Sequence, residues 1–210
     1  MSEKLFYPQE KLSNEAHIKS MDNYYKEYKR SIEDQNKFWE EKASRLNWYN
    51  KWDSVGSFDY SKGDIKWFEG GSLNASYNCL DRHIESGNGD RIALIWEGNN
   101  PAEDQHFSYK DLLKEVKKFS NVLLSLGVEK GDRVCLYMQM VPQLPIAMLA
   151  CARIGAVHSV VFGAFSPDSL RDRINDSSCK ILITQDTGVR GTKKNIPMKS
   201  NADKAVSQAP

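Results

Sequence analysis

The sequence predicts an α/β protein in which a helical and extended leader precedes a mostly parallel, helix-flanked sheet. Two observations carry this prediction. The chain is polar over residues 1–90, whereas short apolar runs dominate residues 91–185. These runs alternate with longer helical patterns, which is typical of right-handed crossovers between parallel strands. We therefore expect a leader at 1–90 and the first part of an α/β domain at 91–210.

Composition excludes several classes of protein. The 210 residues carry 29 basic and 28 acidic side chains, a formal net charge of +1, so no overall field favours nucleic acid or an anionic membrane as partner. No apolar run approaches the roughly 20 residues that span a bilayer, and the N-terminus lacks the apolar stretch of a secretory signal. The expected location is the cytoplasm.

The cysteines predict neither a metal site nor a disulfide framework. The four lie at positions 79, 135, 151 and 179, with no CxxC spacing and no cluster of histidines. Zinc sites and disulfide-rich domains need closer or patterned spacing. We expect reduced thiols that behave mainly as small buried apolar groups.

The leader shows two helical patterns followed by an aromatic segment. Ser13 and Ser31 are candidate N-caps for the helices. Four of the five tryptophans lie from Trp39 to Trp67. We interpret this segment as an extended arm held by large buried rings. An aromatic ligand cage or a base-stacking surface is the alternative, which the lack of a basic cluster among the rings disfavours.

The elements of the α/β part follow in order. A short helix begins at Asn74 or Ser76. Ser108 and Asp111 have the spacing of a capping box, and the helix that they open ends at Gly127. Ser166 caps a later helix. Strands are predicted at Arg91–Trp96, Arg133–Met138, Ser159–Phe162 and Lys180–Thr184, and further helical patterns at 146–156 and 201–208.

Familiar nucleotide-binding and catalytic motifs are missing. Neither the phosphate loop GxxxxGK[ST] nor the dinucleotide fingerprint GxGxxG occurs. Gly155 joins a helix to a strand, the reverse of the order that the fingerprint requires. His158 precedes an apolar strand, but no Ser, Cys or carboxylate is placed to complete a nucleophile and base. We interpret His158 as structural and predict no catalytic residue.

Two loops are candidates for binding a ligand. The first, Phe162–Pro167, runs from the end of a strand to a helix N-terminus, and its small residues Gly163 and Ala164 would let a flat ring approach the backbone. The second, Asp186–Lys194, carries three cations. Side by side in a parallel sheet, the loops would suit a phosphorylated nucleotide. The alternative, that the cations are solvated loop charges, stays equally open at this point.

Long segments resemble the AMP-forming acetyl-CoA synthetases, members of the adenylate-forming enzymes. The resemblance is carried by the run GDRVCLYMQMVPQLPIAMLACARIGAVHSVVFGAFSPDSLRDRINDSSCKILITQDTGVRG, and by FWEEKASRLNWYNKW, WFEGGSLNASYNCLDRHI and SYKDL upstream. It extends from about residue 14 to the C-terminus. The family joins acetate to ATP to give acetyl-adenylate, and then transfers the acetyl group to CoA.

The resemblance implies a partial site for the nucleotide end of CoA. Phe162 and Gly163 would face the adenine, and Arg190 would pair with the 3′-phosphate region. The full set of residues implied is Phe162, Gly163, Ala164, Arg190, Gly191, Thr192 and Lys193. Two departures bear on it. Ala164 stands where the family commonly has glycine, which narrows the approach of the ring, and Thr192-Lys193 replaces Gly-Arg, which keeps the charge but loses the planar guanidinium.

The resemblance also implies that the sites for ATP, Mg²⁺ and acetate, and the catalytic lysine, lie beyond residue 210. The partners are then acetate, ATP, CoA and the remainder of the same polypeptide. We expect these 210 residues alone to form no acetyl-adenylate, and to associate through an unpaired apolar sheet edge. The alternatives are a ligase for propionate or another short acyl group, or a non-catalytic CoA-binding or interaction module.

Overall fold

The fold is defined by a computed structural model that describes residues 6–100 and 102–209. The chain separates into two units, the first ending at Ser72 and the second beginning at Leu73. Leu80 is fully buried in the larger core of the second unit. Packing therefore places the division before the change in composition at residue 91.

Three helices begin the first unit: α1 (Glu10–Glu15), α2 (Met21–Glu33) and α3 (Gln35–Ala43). Their caps correct the sequence prediction, because Ser13 and Ser31 lie inside α1 and α2. The Ser20 hydroxyl instead accepts the main-chain N–H of Asn23 (3.2 Å), and the Asp34 carboxylate accepts that of Lys37 (3.3 Å). Ser, Asp and Asn cap helices about equally well, so the sequence alone did not select among them.

The aromatic segment forms a β-hairpin, and the prediction of an extended arm is wrong for residues 54–69. Strand β1 (Ser54–Asp59) pairs antiparallel with β2 (Asp64–Glu69). Buried Ala43, Trp52 and Val55 form a small core with the rings of Trp48 and Phe68 packed against it. Trp52 and Trp48 therefore belong to the core of a small unit, whereas Trp39 and Trp67 are 38% and 44% exposed.

The second unit begins with a π-helical stretch over Tyr77–Asp81 and Ile84–Asn88. Asn74 opens it as predicted, since its side-chain oxygen accepts the N–H of Tyr77 (3.1 Å). The remaining elements are β3 (Ile92–Glu97), β4 (Asp104–Ser108), α4 (Tyr109–Ser125), β5 (Arg133–Met138), α5 (Gln143–Ile154), β6 (Val157–Phe162), α6 (Pro167–Ser177), β7 (Ile181–Thr184), β8 (Gly188–Arg190), β9 (Lys193–Ile196) and α7 (Met198–Val206).

A parallel sheet of three strands, in the order β6-β5-β7, organises this unit and confirms the α/β fold class. Val134 of β5 pairs with His158 of β6 on one side and with Ile181 of β7 on the other. Strands β3 and β4 form a separate antiparallel pair. The sequence did not reveal β4, which is short and polar.

Strand β5 contributes to two cores because alternate side chains point to opposite faces of a sheet. Val134, Leu136 and Met138 join the buried face of α4 and α5. Cys135 and Tyr137 face α6 and α7, where they meet Leu170 and Met198. A strand covered on both faces reads as a continuous apolar run, which is why its limits match the prediction.

The helix boundaries mostly follow their predicted caps. Ser108 and Asp111 form a reciprocal capping box at the start of α4, and the Ser166 hydroxyl accepts the N–H of Ser169 to begin α6. Helix α5 begins at Gln143, three residues before the predicted start. Pro145 is tolerated there because the first N–H groups of a helix have no partner within it.

Candidate nucleotide-binding site

The predicted site residues lie at and beyond the carboxyl ends of β6 and β7. In open α/β sheets, ligands bind at this edge. Phe162 is the last residue of β6, and the cationic segment follows β7. The same edge therefore carries both candidate loops.

The first loop is a tight turn with an exposed ring. The N–H of Phe165 donates to the carbonyl oxygen of Phe162 over 3.0 Å, so Gly163 and Ala164 are the central residues. The Phe162 side chain is 61% exposed and meets the Phe165 ring edge-on, with centroids 5.8 Å apart. An aromatic face open to solvent at a strand end can stack on a flat ligand.

Tyr137 of β5 stabilises the turn through hydrogen bonds. Its hydroxyl lies 3.3 Å from the carbonyl oxygen of Gly163 and 3.0 Å from that of Phe165. A side chain at Gly163 would crowd the carbonyl oxygen of Met138 (3.2 Å) and the methyl group of Met198 (3.3 Å). Internal packing therefore disfavours a side chain at position 163, independently of any ligand.

The second loop forms a β-hairpin, which the sequence did not predict. Strands β8 and β9 pair antiparallel with Arg190 opposite Lys193, and Gly191 and Thr192 form the connection. Gly191 has φ +57°, a conformation that glycine adopts without strain. The side-chain amide of Asn99 donates to the carbonyl oxygen of Gly191 (3.2 Å). The hairpin is thus anchored at its tip.

The hairpin presents three cations that no carboxylate among the described residues neutralises. Arg190, Lys193 and Lys194 are exposed. Within residues 6–100 and 102–209, none of the three lies in an ion pair with a carboxylate. Unpaired cations on a hairpin at a sheet edge are suited to phosphate groups, and a guanidinium can bind phosphate through two hydrogen bonds.

The two loops do not follow neighbouring strands, so the side-by-side arrangement considered from the sequence is wrong. Strand β5 lies between β6 and β7, which separates their ends by two strand spacings, roughly 10 Å. The cause is that β5, the most thoroughly apolar strand, takes the position with neighbours on both sides. Residues after β5 must fill the interval.

Gln139 and Gln185 fill that interval, and the sequence analysis missed both. The Gln139 side-chain oxygen accepts the N–H of Val189 (2.7 Å), and the Gln185 side-chain oxygen accepts the main-chain N–H of Gln139 (2.9 Å). A signal existed, because each glutamine directly follows an apolar run at a predicted strand end. Polar side chains in that position face the ligand edge of the sheet.

Candidate catalytic and metal-binding groups give no alternative site in the part of the chain that the structure describes. His158 is half-buried on β6, and no hydrogen bond involves its ring among those residues. No three His, Cys, Asp or Glu side chains are grouped there to hold a metal ion. None of the described helices has the length and apolarity needed to cross a bilayer.

Sequence comparison assigns the class. The family model of AMP-binding enzymes matches residues 80–209, and the model of the acetyl-coenzyme A synthetase N-terminus matches residues 24–79. The chain therefore belongs to the AMP-binding enzyme family.

Individual relatives with high sequence identity share one name, acetyl-coenzyme A synthetase. The chain is 56% identical over 190 residues to an acetyl-coenzyme A synthetase of Magnetococcus marinus, an alignment of 90% of this chain and 29% of the relative. It is 51% identical over 212 residues to one of Halorhodospira halophila, covering 100% of this chain and 32% of the relative. An acetyl-coenzyme A synthetase 2 of Pseudomonas aeruginosa is 55% identical over 190 residues, 90% of this chain and 29% of the relative. The chain spans about a third of the length of these relatives.

Proposed function

We propose that this chain contributes the binding site for the nucleotide end of CoA to an AMP-forming acetate–CoA ligase. The ligase joins acetate to ATP, releasing pyrophosphate, and the thiol of CoA then displaces AMP from acetyl-adenylate. The observation that carries the proposal is the pairing of an exposed ring, Phe162, with an unneutralised cationic hairpin at one sheet edge. The names of the relatives support the choice of acetate.

Each side chain has a proposed role. Phe162 stacks on the adenine, and the turn through Gly163 and Ala164 receives the edge of the ring. Arg190 binds the 3′-phosphate through its planar guanidinium. Lys193, opposite Arg190 in the hairpin, adds a second positive charge, and the Gly191-Thr192 connection brings both cations to one end of β8 and β9.

The remaining substrates bind outside this chain in the proposal. ATP, Mg²⁺ and acetate are held by the rest of the polypeptide, and the described residues bring together no group that would activate a carboxylate. The near-zero net charge and unpatterned cysteines support a cytoplasmic enzyme. The 210 residues alone are expected to bind CoA and to catalyse no acetate-dependent pyrophosphate exchange.

Calorimetric titration of the 210-residue chain with CoA and with 3′-dephospho-CoA tests the site. Arg190→Ala is expected to weaken CoA binding tenfold or more, because a hydrogen bond to a charged group is worth about 1.5–3 kcal/mol. It should leave the affinity for dephospho-CoA nearly unchanged. Lys204→Ala, which removes an exposed cation from α7, is the matched control. Equal affinity of the unaltered chain for the two ligands would refute the role of Arg190 and, with it, the proposed function.

A further inference from the structure

We propose that Gln139 is a positioning residue that fixes the cationic hairpin relative to the Phe162 turn. The inference rests on the proposed function, since it concerns how that CoA site is held in shape. Gln139 directly follows β5, the strand between the two loops. It is therefore placed to contact both of them.

The first contact is with the hairpin. The Gln139 side-chain oxygen accepts the N–H of Val189 over 2.7 Å, and Val189 immediately precedes Arg190. The side-chain amide also lies against buried Gly188, where an added Cβ would come within 2.6 Å of the Gln139 amide carbon. The absence of a side chain at Gly188 is what lets the glutamine reach the main chain of β8.

The second contact is with the turn. The position that a Cβ would occupy at Gly163 is 3.4 Å from Cγ of Gln139. The aliphatic part of the glutamine thus lies beside Gly163 of the Phe162–Phe165 turn, while its amide binds the hairpin. One side chain therefore neighbours both loops.

Gln185 fixes Gln139 in turn. Its side-chain oxygen accepts the main-chain N–H of Gln139 (2.9 Å), and its side-chain nitrogen donates to the carbonyl oxygen of Thr187 (2.7 Å). Thr187 directly precedes the first residue of β8. The two glutamines therefore connect the end of β5 to Thr187, before β8, and to Val189, within β8.

The arrangement leads to a specific expectation for affinity. Arg190 is useful to a 3′-phosphate only if its backbone stays at a fixed distance from the ring that stacks on the adenine. Loss of the Gln139–Val189 hydrogen bond should therefore weaken recognition of the 3′-phosphate and leave the remaining contacts of the ligand intact. A single neutral hydrogen bond corresponds to about a fivefold effect.

The test compares Gln139→Met with Gln139→Glu in the 210-residue chain. Methionine keeps the length of the side chain and removes the acceptor, whereas glutamate keeps an acceptor for Val189. In Gln139→Met we expect faster hydrogen exchange of the Val189 amide and about fivefold weaker CoA binding, with unchanged affinity for 3′-dephospho-CoA. Gln139→Glu should restore slow exchange at Val189.

Gln185→Met provides a second variant if Gln139→Met does not fold, since it removes the support of Gln139 and should also speed exchange at Val189. Unchanged exchange at Val189 in the folded Met variants would overturn the proposal, as would an equal loss of affinity for both ligands. If the unaltered chain binds CoA and dephospho-CoA equally, the proposed function fails instead. The exchange measurement then still decides whether Gln139 holds the hairpin.

Discussion

The guanidinium of Arg153 and the carboxylate of Asp81 form a two-point ion pair, with N–O distances of 2.8 and 3.0 Å. Their side chains are only 25% and 14% exposed. Asn74 adds hydrogen bonds to the carbonyl oxygens of Ala152 and Arg153, each 3.1 Å. The end of α5 is thereby joined to the π-helical stretch, which explains why residues 73–90 pack with the α/β unit.

We expect removal of either member of this pair to destabilise the second unit. Arg153→Met and Asp81→Asn should each lower the free energy of unfolding by about 2 kcal/mol, between the values for exposed and fully buried pairs. Urea denaturation of the single and double variants measures the coupling between them. Simple additivity of the two losses would show that the pair contributes no interaction energy.

The capping box of α4 predicts a second effect on stability. Ser108→Ala should cost about 1 kcal/mol, the usual value for loss of an N-cap hydroxyl, whereas Ser125→Ala at the exposed end of the helix should cost much less. Thermal denaturation followed by circular dichroism compares the two.

The contribution of this capping box to stability depends on pH. Hydrogen bonds from the Ser108 hydroxyl and main-chain N–H lower the pKa of Asp111. A lowered pKa contributes stability above the ordinary value near 3.8, and that stability is lost as the pH falls through the lower value of the folded state. The cost of Ser108→Ala should therefore shrink in strong acid. A cost that stays constant from pH 7 to pH 2 would contradict this.

The four cysteines should differ in reactivity. Burial raises the pKa of Cys135 to about 12, with a further contribution from neighbouring Cys179, and raises that of Cys151 to about 11. Because the thiolate is the reactive form, both should resist iodoacetamide at pH 8 in the folded chain. Cys79, which is exposed, should be alkylated first. Mass spectrometry with and without urea distinguishes the sites.

Because these thiols are buried, we also expect the folded chain to lose stability at alkaline pH. Their pKa values are raised above the ordinary value of about 9, so their contribution to stability is complete below pH 9. It is lost as the pH rises through 11 and 12, because the unfolded thiols ionise first. Cys135→Val with Cys151→Ala should reduce the slope of unfolding free energy against pH in this range. An unaltered slope would exclude the thiols as its cause.

Self-association through the free edge of β7 is a further prediction. In the part of the chain that the structure describes, β7 pairs only with β5, and a groove of about 620 Å³, lined mainly by β7 and α7, runs beside it. Exposed strand edges recruit other chains. Size-exclusion chromatography with light scattering should show association that Val206→Lys, a charge placed in the groove, reduces. A strict monomer at high concentration would contradict this prediction.

Local chemistry made much of the fold predictable. The limits of β5 and the caps Ser108 and Ser166 follow from apolar runs and from hydroxyl groups that satisfy free N–H groups nearby in the chain. Three antiparallel hairpins escaped prediction, including the one formed by β1 and β2. Strand β3 is apolar and was predicted, but the other strands of these hairpins are short or rich in polar residues. Pairing also depends on a partner strand that periodicity does not identify.

The position of the candidate loops was predicted in part, for a related reason. Phe162 and Arg190 could be assigned to one sheet edge, because the carboxyl ends of parallel strands meet there. The order of the strands could not be assigned, since crossover direction does not say which strand takes the centre. With β5 central, the residues that follow it, Gln139 first, lie between the two candidate loops.

The central position of β5 also fixes the distance between the strands that lead into the two candidate loops. The distance between the carboxyl ends of β6 and β7 is a multiple of the backbone repeat across a sheet, and Gln139 then sets the position of the hairpin that follows β7. Lengthening or shortening the crossovers that contain α5 and α6 would leave the distance between the strand ends intact. Only a bulge or a change of register within β5 would change that distance. Homologues can therefore vary these helices and keep the same separation between the two strand ends.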